Sequence, residues 1–275
     1  MSIENIPDIY LNNCNYTNSL FVYDLKMVKG NTKTKVNLNM HMFSFLQRGK
    51  KHVYFADKPI LVDNSQSILI EKGNCLWSEL LDSEETYYCK LLFFSDKKLQ
   101  EFIENHQIIK EKSDFEKFSH FIIENDSFIN SYLNSLNALS YTSTKIISLK
   151  FEELLLYLLS KYGNDFKNYL LSLVTVEKKS LLKNVVENNL YTSLNLEEIA
   201  FLCNMSLSTF KRSFTQEYNE SPGKWFRNHR LERAKELIEK RKAKPSEVYL
   251  DLGYNNLSNF SIAFKRKFNI NPSEI

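Results

Sequence analysis

Lys211-Arg212 and the basic run Lys265-Arg266-Lys267 are the side chains of this sequence best suited to phosphate and base-edge chemistry. An arginine fork can grip a guanine edge through two hydrogen bonds, and a lysine meets a phosphate as a point charge. Charged runs are usually solvated faces with no ligand. What lifts these above that reading is an internal repeat. Phe210, Phe214, Tyr218, Asn219 and Pro222 fall on Phe260, Phe264, Phe268, Asn269 and Pro272 at an offset of 50 residues. Upstream, Glu198-Ile199-Ala200 falls on Glu247-Val248-Tyr249 at an offset of 49. Each copy therefore reads as two short helices joined by a turn, with the second turn one residue longer. The apolar positions step by four, which puts them on one buried stripe and turns Ser208, Lys211 and Arg212 outward. Two such units in one chain are the plan of a protein that reads two successive segments of double-stranded DNA groove.

Other chemistries find little support. A metal site needs about three converging imidazoles or carboxylates, yet His41 and His52 are the only histidines of the strand-rich region and stand in no H-x-H arrangement. G-x-S-x-G, P-loop and G-x-G-x-x-G patterns are absent. No metal, no cofactor and no enzyme activity are expected; a cupin-type enzyme is the remote alternative. Cys14, Cys75, Cys89 and Cys203 are dispersed and read as reduced, packed thiols in a cytoplasm. Apolar runs such as Leu154 to Leu159 fall far short of a membrane span, and Met1 to Asn5 lacks the features of a secretion signal.

The elements that must position these residues fall into two blocks, for which 275 residues and 43% hydrophobic content suffice. Residues 177–275 hold 17 Lys+Arg against 12 Asp+Glu, and residues 1–176 hold 19 against 21, so the basic surplus lies with the repeat. In the front block, Val36, Leu38, Met40 and Met42 alternate with polar residues, and short apolar runs at His52–Phe55, Ile60–Val62, Ser67–Ile70 and Thr86–Phe94 alternate with polar turns. That pattern predicts a small antiparallel barrel or sandwich over 15–95, its interior lined by Met40, Met42, Phe43, Phe45, Leu91 and Phe93. Helices are predicted over 96–174, at Lys98–Asn105, Phe115–Glu124, Phe128–Leu139 and Lys145–Tyr162. The polar stretch Thr175 to Ser180 marks the boundary. Beyond it, Asn195 with Glu198 predicts a capping box, Asn219 a left-handed helix end, and Pro222 the start of a long helix.

With these residues assembled, the last 95 or so resemble the double helix-turn-helix domain of the AraC/XylS transcription regulators. The carriers are Ile199-Ala200, Phe210 to Phe214, Ser221-Pro222, Arg230 to Ala234, Gly253-Tyr254, Phe260 to Lys265 and Asn271 to Ser273. The resemblance implies an α+β protein: a cupin-like regulatory and dimerisation domain over 1–176, then an all-α double helix-turn-helix domain over 177–275. It implies promoter binding, an activator role and RNA polymerase as a partner; the apolar lining of the front block, where it encloses a hollow, suits a small apolar effector, and control by a regulatory protein is the alternative.

The sequence departs from that family in ways that bear on recognition. Tyr249 stands where a small residue is usual, so the packing should open to admit a ring. By alignment the second reading helix presents Leu257, Ser258, Asn259 and Ile262, with Ile262 where a base-reading arginine is common. Asn can pair with adenine, while Ile and Leu reach only thymine methyls. More of the hydrogen-bonded specificity is therefore expected from Ser208, Lys211 and Arg212, with Lys265, Arg266 and Lys267 on phosphates. The helix from Lys145 to Tyr162 carries more apolar surface than one face can bury, so Leu154, Leu155 and Leu158 are expected at a homodimer contact.

Overall fold

The computed structural model describes residues 3–11, 19–55, 59–109, 119–137, 144–174, 181–241, 243–254 and 256–275. Cys14 and the predicted boundary at 175–180 lie outside the described residues. The chain divides into two compact units, Met1–Tyr54 with Ile60–Lys178 and Phe55–Pro59 with Lys179–Ile275.

In the first unit the strands are β1 (Ile3–Ile6), β2 (Leu20–Met27), β3 (Asn31–Leu38), β4 (His41–Arg48), β5 (Lys50–Tyr54), β6 (Ile60–Val62), β7 (Gln66–Ile70), β8 (Gly73–Leu80), β9 (Tyr87–Phe94) and β10 (His120–Glu124). Its helices are α1 (Asp96–Asn105), α2 (Ser127–Asn137), α3 (Thr144–Tyr162) and α4 (Asn164–Val174). Of the two arrangements the pattern allows, a small antiparallel barrel or a sandwich, the described strands form two five-stranded sheets, β1-β3-β8-β5-β6 and β10-β7-β4-β9-β2. All neighbours run antiparallel except the parallel pair β1 and β3.

The physical reason lies in β4, β7 and β9, which are buried on both faces. A sheet apolar on both sides needs cover on both. Register places Phe43 opposite Leu92 and Leu69, and Met42 opposite Phe93 and Ile70. The first set, with Phe45, packs against Leu99, Phe102, Tyr132, Phe151 and Leu158 of the helices. The second set lies on the opposite face, where Tyr10, from the 3-10 turn Asp8–Tyr10 that follows β1, lies 6.3 Å from Phe93 and stacks on Tyr23 of β2 at 4.3 Å. The six residues expected to line one interior are thus divided between two cores, and Met40 is half-buried in the bend before β4.

Between the sheets lies a buried ion pair, Lys51 Nζ to Glu79 Oε1 at 3.3 Å, with side chains only 1% and 3% exposed. Asn31 Nδ2 donates to Glu79 Oε2 at 2.7 Å, and the Lys51 ammonium sits 3.9 Å from the Trp77 ring centroid. Burial pushes the Cys75 thiol up to about 12 and Cys89 to about 11, so both remain protonated and unreactive.

Two further expectations are corrected here. The helix predicted over Phe115–Glu124 is, in its described part, the strand β10, bonded antiparallel to β7. His120-Phe121-Ile122-Ile123 is aromatic and β-branched, and over so short an apolar run helix and strand spacing cannot be told apart. On α3, Leu154, Leu155 and Leu158 are completely buried in the unit's own core. The exposed apolar residues of that helix are Ile146, Leu149 and Leu156.

The second unit is built from α5 (Leu181–Asn188), α6 (Leu196–Leu202), α7 (Leu207–Tyr218), α8 (Pro222–Arg241), α9 (Pro245–Asp251) and α10 (Leu257–Phe268). Among the described residues no helix is long and apolar enough to cross a membrane.

Candidate nucleic-acid interface

Both repeat copies use the same construction. Asn195 caps α6, accepting from Glu197 and Glu198 amides at 3.0 Å, and its own amide donates to Glu198 Oε2 at 2.8 Å. In the second copy the Lys244 amide donates to Glu247 Oε2 at 3.0 Å. Asn204, at φ 57°, turns the chain out of α6. Ser206 then caps α7, its Oγ accepting from the Thr209 amide at 3.2 Å, and Asn256 caps α10 by accepting from the Asn259 amide at 2.8 Å. Each of these 12-residue helices ends on a left-handed asparagine, Asn219 and Asn269.

Phe210 and Phe214 of α7, like Phe260 and Phe264 of α10, are fully buried. Burying that stripe turns the opposite face of each helix to solvent. On α7 the exposed residues are Ser208, Lys211, Arg212, Thr215, Gln216 and Glu217, the last paired with Lys183 at 2.6 Å; on α10 they are Leu257, Ser258, Asn259, Ile262, Lys265 and Arg266. Ser208 is partly engaged, its Oγ 3.0 Å from Ser206 Oγ. Lys267 is not available to a phosphate: its Nζ donates to the Asn228 carbonyl at 2.8 Å and pairs with Glu232 at 2.9 Å, fastening α10 to α8. Thr215 and Gln216 escaped the sequence reading, although the 50-residue register pairs them with Lys265 and Arg266.

Helix α8, of 20 residues and so about 30 Å long, holds the two copies. Near its start Trp225 and Phe226 pack on Phe214, with centroids at 5.6 and 6.0 Å. Farther along, Leu231, Ala234 and Ile238 share a core with Val248, Leu252, Phe260 and Phe264. Tyr249 is half-buried and packs at the margin of that core.

A clamp near the middle of α8 fixes how the copies meet. Arg230 donates through Nε to the Leu190 carbonyl at 2.6 Å, through Nη2 to Thr192 at 2.7 Å and through Nη1 to Gly253 at 3.5 Å. Gly253 has φ +74°, and a Cβ there would lie 2.4 Å from the Thr192 carbonyl oxygen. Only glycine allows this approach of the second turn to the first copy. Among the described residues no group of three or more His, Cys, Asp or Glu side chains is placed to hold a metal ion.

Two capped helices on one rigid spacer, each with an outward polar or basic face, define a double helix-turn-helix protein. Residues 41–169 match the family described as ExsA N-terminal regulatory domain, and residues 199–275 match one described as Helix-turn-helix domain. The chain thus carries an AraC-type helix-turn-helix domain behind an ExsA-type N-terminal domain, and the relatives it matches are AraC-family transcription regulators. It is 31% identical over 130 residues to Thermoregulatory protein LcrF of Yersinia pestis, covering 47% of this chain and 48% of that protein. Over 101 residues it is 25% identical to the HTH-type transcriptional activator RhaS of Escherichia coli O157:H7, covering 37% and 36%. The chain spans about half the length of LcrF, or less for RhaS. Among solved structures, ToxT from Vibrio cholerae aligns with 94% of this chain and 97% of that one, at 17% identity and a TM-score of 0.41.

Proposed function

We propose that the chain is a sequence-specific double-stranded DNA-binding transcription regulator, acting as an activator that contacts RNA polymerase at the promoters it occupies. Helices α7 and α10 enter two adjacent major-groove segments. The observation that carries this reading is the residue-for-residue correspondence of two capped helices, with Arg212 and Ile262 at matching outward positions and α8 as spacer. RhaS, to which the chain is similar, is a transcriptional activator, which supports the direction of regulation. The first unit is read as the regulatory half and as a homodimer contact. A protein partner suits it better than a small apolar effector, because the space between the sheets already holds Lys51, Glu79 and Trp77 at 3% exposure or less.

The test is to select binding sites from random duplex DNA with the full chain and to footprint the winner. Two protected segments centred about one helical turn apart, roughly 34 Å, are expected, with bending of the DNA between them. Protection confined to a single groove segment contradicts the reading.

A further inference from the structure

The two reading helices carry the same outline and a different centre. Around a helix each residue advances about 100°, so Ser258 and Arg266 flank Ile262 at about 40° on either side, with Asn259 and Lys265 at about 60°. In α7 the corresponding frame is Ser208 and Gln216, then Thr209 and Thr215, around Arg212. Position for position, α10 has no cation at the middle of the face, where α7 has Arg212, and carries Lys265 and Arg266 on either side of that middle. At the middle stands Ile262, 68% exposed, and at the first helical position Leu257 is 38% exposed. Scattered exposed leucines and isoleucines need no explanation. An isoleucine in the middle of a reading face, bracketed by Lys265 and Arg266, is in a different situation.

Cations at the rim are drawn to phosphates and would seat α10 in the groove. Seating it presses the middle of the face against base edges. A branched alkyl group offers no hydrogen bond, and the one apolar group that marks a base in the major groove is the C5 methyl of thymine. Asn259, next to Ile262 on the same face, has the donor and acceptor pair that fits adenine.

Resting on the reading that α7 and α10 are the DNA-contacting helices, we propose that Ile262 recognises a thymine methyl in the segment bound by α10. The two segments of the site are then read by different chemistry. Arg212 takes a guanine in one, and Ile262 with Asn259 takes an A·T pair or step in the other.

The experiment replaces each thymine of the selected site, one at a time, by deoxyuridine, which lacks only the methyl. Affinity of the full chain is measured for the unmodified protein, Ile262→Ser, Ile262→Arg and Arg212→Ala. One or two deoxyuridine positions, all in the α10 segment, should weaken the unmodified protein about fourfold, the worth of one buried methyl-sized group. Ile262→Ser should bind thymine and deoxyuridine duplexes alike. Ile262→Arg, tested against base-pair variants at that position, should prefer G·C over A·T. Arg212→Ala should keep the methyl sensitivity while losing its preference in the other segment. If no deoxyuridine position matters in a two-segment site, or if Ile262→Ser keeps full methyl sensitivity, the proposal is overturned and the two-helix reading stands. If Arg212→Ala selects the same site as the unmodified chain and only one segment is protected, the two-helix reading fails and the proposal goes with it.

Discussion

Arg212 and Arg230 meet opposite fates in the second unit, and the contrast separates reading from positioning. Arg212 is exposed and enters no ion pair among the described residues, so its fork is available to a guanine edge. Arg212→Ala should weaken binding to the selected site by about 1–3 kcal/mol and relax preference at one base pair. Lys265→Ala should instead weaken every sequence alike and lower the salt slope by about one. An unchanged selected motif for Arg212→Ala would exclude base reading by that residue. Arg230 is held by three backbone carbonyls, and burial pulls its pKa below the usual arginine value. Arg212 was legible because the repeat predicts its face. The clamp was not, since its acceptors are main-chain oxygens from two separate turns and leave no trace in residue type. Gly253→Ala would strain a left-handed position and force Thr192 and Arg230 apart. We expect a loss of more than about 1 kcal/mol in stability, visible as a lower melting temperature of the full chain, and weaker protection of the α10 segment.

At the scale of elements, the helices of the second unit were readable nearly to the residue because capping and four-residue spacing are local signals. Asn195, Asn219 and Pro222 each do what their type predicts. The sheets were less readable. Strand positions show in the alternation of β3, but whether strands close into a barrel or part into two layers depends on what covers the outer face, and that is decided by distant helices. In the same way β10 takes its identity from the open edge of β7 rather than from its own spacing. The pair Lys51–Glu79 is another product of assembly, since β5 and β8 set the two residues opposite each other. Removing one partner of a buried pair leaves an uncompensated charge, so Lys51→Met should cost about 3–5 kcal/mol. The double variant Lys51→Met, Glu79→Leu should recover most of it. Denaturant melts of the two single variants and the double decide the matter: a double-variant loss equal to the sum of the two single losses would mean the pair has no coupling of its own.

For the whole molecule, the question is why a chain proposed to read two DNA segments should carry a first unit at all. An answer lies in α3, where Lys145 is exposed at the start and the exposed positions beyond it, Ile146, Leu149, Glu153, Leu156 and Ser160, follow a three-four spacing, the spacing of a seam between two packed helices. The leucines expected at this contact are committed to the core, so the surplus apolar surface of the helix is these other residues. Isoleucine and leucine buried between two copies would each contribute about 1.5–3 kcal/mol before the cost of association is subtracted. A dimer would carry two readers, and the second would bind from a raised local concentration without any new contact to DNA. Leu149→Glu should therefore give a folded monomer, because that side chain is 65% exposed and supports no core. Its affinity for a single site should match that of the unmodified chain, and its affinity for paired sites should fall. Sedimentation of the unmodified chain as a monomer at tens of micromolar, with and without paired sites, would remove the argument for self-association through α3.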